Sequence, residues 1–330
     1  MEPTCNIQTD DFQRQVQALL CLRSFEHLCE EAEGRFIIVP LKGIDLLRSL
    51  YADTLDRELR DIDLLIHPAE KALEMVELLQ QEGYRPEFDF ALDKAAFLEK
   101  KKISMIPPSP KKIHVDVHMA LITKRFFSDT IGTFNKDALS RLIKQNEVVY
   151  VLDDVDRWLF LAAHLAFHFL AGDKWYSDLD LLAKQFSEKQ FQTLISRTKQ
   201  YHLERVVAAV CDRLYNQFSN ITDHIPLSII LPEASGKRFL QYIRYMELYP
   251  ERLGHGLHPA RYYWEFLFIS QRRQRCRAFL KLLFPSLGMM QNMYRCHAFP
   301  AVLMYLPHVL MNMLGILLFN IQYMVISNTR

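Results

Sequence analysis

The chain has 330 residues, half of them hydrophobic and 24% charged, with a formal net charge of +1. That composition is globular rather than disordered, is long enough for two domains, and supplies no overall basic field for general nucleic-acid binding. Its 10 glycines form neither a G-x-x-x-x-G-K-[ST] nor a G-x-G-x-x-G loop, which excludes the two commonest glycine-rich phosphate cradles.

A helix is predicted over 10–32, where Phe12, Val16, Leu19, Leu20, Leu22 and Phe25 recur at helical spacing. R-F-I-I-V-P-L (35–41) reads as a short buried strand. The chain then turns at Lys42-Gly43 into a helix whose Ile44, Leu47, Leu50 and Tyr51 share a face. D-I-D-L-L-I (61–66) is a second strand, closed by His67-Pro68. The helix over 69–82 carries Ala72, Met75, Val76 and Leu79 and stops at Gly83. A strand near 84–88, a short helix near 91–99 and a strand near 101–106 follow. After the turn P-P-S-P, K-K-I-H-V-D-V-H-M-A-L (111–121) is the clearest alternating strand, and E-V-V-Y-V-L-D (146–152) is the last one expected. From D-R-W-L-F-L-A-A-H-L-A-F-H-F-L (156–170) onward the pattern is helical. The expected fold is therefore α+β: a small mixed sheet flanked by helices over 1–152, then an all-helical region over 153–330.

Asp61 and Asp63 lie one residue apart in an apolar strand, so both project from one face while Ile62 and Leu64 project from the other. Like charges that close repel, and burying them costs several kcal/mol unless a positive partner compensates. The later strand repeats the pattern, with His114, Asp116 and His118 on one face. Two neighbouring strands would bring Asp61, Asp63 and Asp116 to one point. Three carboxylates are the oxygen set that two Mg²⁺ (or Mn²⁺) ions require.

The order L-K-G, helix, Arg57, D-I-D-L-L-I, helix, Gly83-Tyr84 and V-D-V-H resembles the uncharacterised nucleotidyltransferase family of the polymerase-β-like superfamily, over roughly 36–185. The resemblance implies a metal-dependent enzyme that moves a nucleoside monophosphate from an NTP, such as ATP, to an acceptor and releases pyrophosphate. It implies Lys42 and Gly43 at the phosphate turn, Asp61 and Asp63 as the metal pair, and Asp116 as third carboxylate and candidate base. Arg57 is expected to orient a carboxylate or a phosphate. The superfamily turn is usually Gly-Gly or Gly-Ser, whereas here it is Lys42-Gly43-Ile44. A His pair followed by Trp and Asp recurs in that family; here His164, His168, Trp175 and Asp178 stand in that order, as candidates to line a nucleotide or acceptor pocket or to tie helix to helix. His164-Leu165 is not the H-E of a zinc-protease motif, and Ser177 or Asp178 stands where a helix cap is expected.

The acceptor is open: a small molecule, peptide or protein is favoured over a long nucleic acid, with tRNA transfer of the toxin type as one alternative. A scaffold that kept the fold without the chemistry is the other. Six cysteines without a C-x-x-C pair, and an N-terminus without a basic segment and apolar core, give the expectation of a cytoplasmic chain with reduced thiols. The run Q-R-R-Q-R-C-R (271–277) is a basic helix face or a contact for RNA or anionic lipid. The tail from Cys296 to Thr329 has no Asp, Glu, Lys or Arg. Pro307, His308, Asn312, Asn320 and Gln322 break its apolar run, so 298–326 is expected to lie on a membrane face, a partner or the body of the protein rather than to span a bilayer.

Overall fold

The computed structural model describes residues 6–52, 57–87, 101–109, 112–122, 128–168, 170–217 and short stretches between 239 and 314. The helix expected near 91–99 and nearly all of the apolar tail lie outside these residues. Among the described residues, no helix is long and apolar enough to cross a membrane. The chain divides into two compact units, Met1–Thr123 with Asn135–Arg157, and Lys124–Phe134 with Trp158–Arg330.

The first unit opens with helix α1 (Asn6–Glu31), strand β1 (Ile37–Leu41) and helix α2 (Lys42–Leu50). Strand β2 (Asp61–His67) leads through a short 3₁₀ turn into helix α3 (Ala72–Gln81). Gly83 ends this helix at φ 87°, a left-handed conformation that glycine adopts without a Cβ clash. Strands β3 (Arg85–Pro86), β4 (Lys102–Ile106) and β5 (His114–His118) complete a five-stranded sheet in the order β1-β2-β5-β4-β3. The β2–β5 pair is parallel, and the other pairs are antiparallel. The α+β expectation thus holds, with the sheet mixed.

One sheet face is apolar. Ile62, Leu64 and Ile66 of β2, Val115 and Val117 of β5, and Ile103 and Met105 of β4 pack with Phe25 and Leu28 of α1 and Met75, Val76 and Leu79 of α3. Alternation sends the intervening residues to the opposite face, and these are the polar ones: Asp61 and Asp63, His114, Asp116 and His118, Lys102 and Ser104. The core therefore fixes which way the carboxylates point, because a one-residue slip in either strand would turn Asp into the apolar core and Ile or Val onto the polar face.

Two later elements were not marked by the sequence: helix α4 (Ser128–Ser140) and strand β6 (Ile143–Lys144). Strand β6 pairs with β7 (Tyr150–Val151), at the site of the last strand expected, and Val149 bridges to Ile38 of β1.

Helix α2 is held from outside the sheet by a buried ion pair. Arg157, in the first turn of helix α5 (Asp154–Phe167), places Nε 2.8 Å from Asp45 Oδ2 and donates from Nη1 to Asp154 at 3.0 Å. Nearby, Arg141 donates to both oxygens of Asp156, at 2.9 and 3.0 Å. Burial pushes the Asp45 carboxyl from its ordinary 3.8 up to about 6, against the opposing charge of Arg157. Between those values the folded chain holds a proton that the unfolded chain has released. The associated stabilisation is complete below about pH 4 and is lost as pH rises through about 6. Relative to an Asp45→Asn variant, wild-type stability should therefore fall by roughly 3 kcal/mol across that window. Urea midpoints measured at half-unit pH steps check it; parallel profiles for the two proteins would refute it.

The second unit is helical where described, with α6 (Asp173–Lys184), α7 (Glu188–Gln200), α8 (Glu204–Gln217) and α9 (Arg272–Leu283). Ser187 caps α7 reciprocally with Gln190. The basic run falls at the start of α9, where Arg273 and Arg277 are exposed.

Candidate active site

The parallel register sets Asp63 directly opposite Asp116, and Asp61 opposite His114. The antiparallel register sets Ser104 of β4 opposite Asp116. Two carboxylates 53 positions apart in sequence thus meet at the sheet centre, both buried, at 4% and 5% exposure. Asp61 shares their face but stands at the open end of β2, exposed to solvent.

Each buried carboxylate has a lysine against it. Lys42 Nζ lies 2.6 Å from Asp63 Oδ1, and Lys102 Nζ contacts Asp116 Oδ2. Ser104 Oγ donates to Asp116 Oδ1 at 2.6 Å. His118 does not serve Asp116. Its Nε2 lies 2.9 Å from Asp63 Oδ1, on the neighbouring strand, while His114 Nδ1 stays 3.8 Å from Asp116. Arg60 pairs with Glu58 at 2.8 Å rather than with Asp61.

The electrostatics follow from these contacts. Burial opposes ionisation of Asp63, but Lys42 and His118 outweigh it and hold its carboxyl well below the usual range. Although Asp61 meets solvent, the protein around its carboxyl raises its pKa, and the negative charges of Asp63 and Asp116 raise it further, against Lys42 and Lys102. Burial also lowers the pKa of His118 despite its bond to Asp63, so its imidazole is neutral at pH 7. With Nε2–H donating to Asp63, the Nδ1 lone pair is left over. It is buried and has no hydrogen-bond partner among the described residues.

Asp63, Asp116 and His118 each offer a ligand atom within 4.8 Å of the others, all three residues being buried. Two hard oxygen donors and one nitrogen donor fit a divalent cation; Asp61, expected in the metal set, shares their face but is not one of these three, and His118 stands in its place.

The Lys42-Gly43 turn lies at the N-terminus of α2. Lys42 sits at φ 50°, the left-handed region that glycine occupies freely and other residues at a cost of about 1 kcal/mol. The side chain that costs this strain is the one that reaches Asp63. Gly43 is small for a different reason: a Cβ there would lie 2.7 Å from Leu59 Cδ2 and 2.9 Å from Arg57 Nη1. Arg57, 5% exposed, is therefore packed against the turn. Gly43→Ala should displace both side chains, costing about 1–3 kcal/mol of stability and raising the KM for nucleotide more than it lowers kcat. Thermal melts and steady-state kinetics test it; an unchanged KM would separate Arg57 from the nucleotide.

His164 and Asp178 belong to the second unit. His164 is half-buried in a ring cluster with His168, at 4.4 Å between centroids, and with Trp175, at 5.0 Å. Asp178 is fully buried in the middle of α6, which begins at Asp173 after the N-cap Gly172. Neither Ser177 nor Asp178 caps that helix, because it starts a turn earlier than their sequence suggests. In the first unit, an open cleft of about 420 Å³ lined by Gln13, Arg14, Gln17, Glu58, Leu59 and Arg60 flanks the entry to β2.

The partners missed from sequence are Lys102 and Ser104. Their i, i+2 spacing before a Pro-rich turn carried the signal, since it puts both on one strand face. The His118–Asp63 contact had no local signal, because it depends on the parallel register.

No curated protein and no solved structure matches the chain. A family model described as uncharacterised nucleotidyltransferase matches residues 3–216, from α1 through nearly all of α8 and including every carboxylate of the cluster. With the match covering more than half of its length, the chain belongs to that nucleotidyltransferase family.

Proposed function

We propose that this chain transfers a nucleoside monophosphate from an NTP to an acceptor, with Asp61, Asp63 and Asp116 as its metal carboxylates. The observation that carries the reading is the pairing of Asp63 with Asp116 across parallel strands, both buried and both facing the same side as Asp61. Mg²⁺ or Mn²⁺, when bound, would lower the pKa of the attacking hydroxyl and neutralise the phosphates. Asp63 and Asp116 would hold it, with His118 beside them and Asp61 completing the set on the solvent side. Ser104 keeps Asp116 oriented through Oδ1. Lys42 is placed to meet triphosphate oxygens from the α2 N-terminus, where the backbone N–H groups also favour anions. Arg57 braces that turn. Charge arranged before the substrate arrives supplies most of the rate in such a site.

Asp116 is the candidate for accepting the proton of the acceptor hydroxyl. The Arg14 and Arg60 side chains suit the cleft beside β2 to a polar or anionic acceptor, small molecule or peptide, rather than an apolar one. His164, with Trp175, would offer stacking surface to a base or acceptor, and buried Asp178 would fix its helix. The division of labour follows the sequence: 1–152 for the chemistry and 153–330, including the tail at 298–326, for the acceptor or an anchoring surface in the cytoplasm or at the inner membrane face.

The test is incubation with α-labelled ATP, GTP, CTP or UTP and Mg²⁺ or Mn²⁺, offering protein, RNA and small-molecule fractions of a cell extract as acceptors. Label should move to one fraction and pyrophosphate should appear, with both absent from the Asp61→Ala/Asp63→Ala variant. Absence of transfer, together with absence of metal-dependent NTP binding, would turn the reading to a fold kept as a scaffold.

A further inference from the structure

Outside the carboxylates, the least expected feature of this face is its pair of ammonium groups. Lys42 reaches Asp63 from the turn before α2, and Lys102 reaches Asp116 from β4. Their environments differ. The Lys42 side chain is 12% exposed, whereas that of Lys102 is 33% exposed at the rim. Burial works against the Lys102 ammonium, yet Asp116, and then Asp63 and Asp61, outweigh it and keep it charged.

The charge balance has a direct consequence. By formal charge, three carboxylates, Asp61, Asp63 and Asp116, against the ammonium groups of Lys42 and Lys102 leave one net negative charge on this face. A single divalent ion would reverse that sign, and a second would leave a large positive excess in a half-buried site. An NTP carries the compensating negative charge on its phosphates. Asp116 carries the Ser104 hydroxyl on Oδ1 and the Lys102 ammonium on Oδ2, so a cation approaching Oδ2 meets the repulsion of a like charge already seated there. Lys102 is the one with solvent access and a flexible stem.

Resting on the nucleotidyltransferase reading, we propose that Lys102 is a tethered counter-cation that occupies the Asp116 carboxylate until nucleotide arrives. Bare divalent ions then compete poorly with it. When a metal–nucleotide complex enters, its phosphates offer the ammonium a new partner and Asp116 is released. Metal occupancy is thereby coupled to nucleotide, and metal alone binds weakly. Lys102 is in this sense a positioning residue that acts through Asp116.

The experiment is Mn²⁺ binding followed by electron paramagnetic resonance of the free ion, on the full chain, with and without a non-hydrolysable NTP analogue. Wild type should bind Mn²⁺ weakly alone and at least tenfold more tightly with the analogue. Lys102→Met should tighten binding of Mn²⁺ alone about tenfold and shrink the nucleotide effect, while Lys102→Arg, which keeps the charge, should behave as wild type. Circular dichroism establishes that each variant is folded, and Lys102→Gln replaces Lys102→Met if that one is not. Mn²⁺ binding that is lost in Asp63→Asn but indifferent to Lys102 would overturn the proposal and leave the metal site standing. Absence of Mn²⁺ binding in every variant, with or without analogue, would overturn both.

Discussion

Asn in place of Asp63 should abolish nucleotidyl transfer, with a loss on the order of 10³-fold. Asp63 is where the site converges: Lys42 and His118 both meet its Oδ1, and its register partner is Asp116. The amide keeps the size of the carboxylate and an oxygen acceptor for Lys42 or His118, so the sheet has no steric reason to shift. It removes the negative charge that a divalent ion needs. Two stability effects oppose each other. The Lys42 ammonium loses its counter-charge, and Asp61 loses the repulsion that raises its carboxyl. The net change in unfolding free energy should stay within about 2 kcal/mol. Transfer rates and urea unfolding on the same preparation separate the two effects. A variant that keeps a tenth of the activity would remove Asp63 from the chemistry.

Arg157→Ala should carry the largest stability loss of any single change considered, about 3–5 kcal/mol. Arg157 is 6% exposed and faces an Asp45 that is 4% exposed. Removing the guanidinium leaves a buried carboxyl without its cation, and removes the Arg157 contact to Asp154 at the first turn of α5. Asp45 sits in the first turn of α2, three residues after Lys42. Slackening that turn should raise the KM for nucleotide as a second consequence. A cycle with Asp45→Asn isolates the pair: much of the loss should be recovered in the double variant, because the orphaned buried carboxyl is gone. Additive losses in thermal melts would show that the two residues act independently.

The elements that carry the candidate site were legible in the sequence because they rest on local rules. Period-two alternation put Asp61 and Asp63 on one face of β2, and Asp116 on the polar face of β5. Burial of Ile62, Leu64, Val115 and Val117 bears that out. What was not legible depends on pairing. Whether His118 serves Asp116, its neighbour by alternation, or Asp63 on the next strand is decided by a parallel register that no local pattern encodes. The Asp45–Arg157 pair joins positions 112 apart, and neither residue stands out from the charged residues around it. Helix α4 was missed because S-D-T-I-G-T-F-N-K-D-A-L-S carries few apolar anchors and a central glycine. Boundaries moved for similar reasons. Helix α6 begins at Asp173, before the residues that looked like its cap, because Gly172 with φ 113° ends the preceding turn.

The parallel β2–β5 pair also has a bearing on how the chain assembles. Strands β1 and β2 are close in sequence, as are β4 and β5, so each antiparallel pair closes only a short loop. The central pair joins segments some fifty residues apart, across the whole of α3, β3 and β4. Closing such a loop is entropically the slow step. Until it happens, Asp63 and Asp116 belong to separate fragments, and the candidate cluster is incomplete. On the proposed reading, metal affinity would report the last long-range step of folding, and a nascent chain released before β5 would lack Asp116 and His118 even with β1, α2 and β2 already paired.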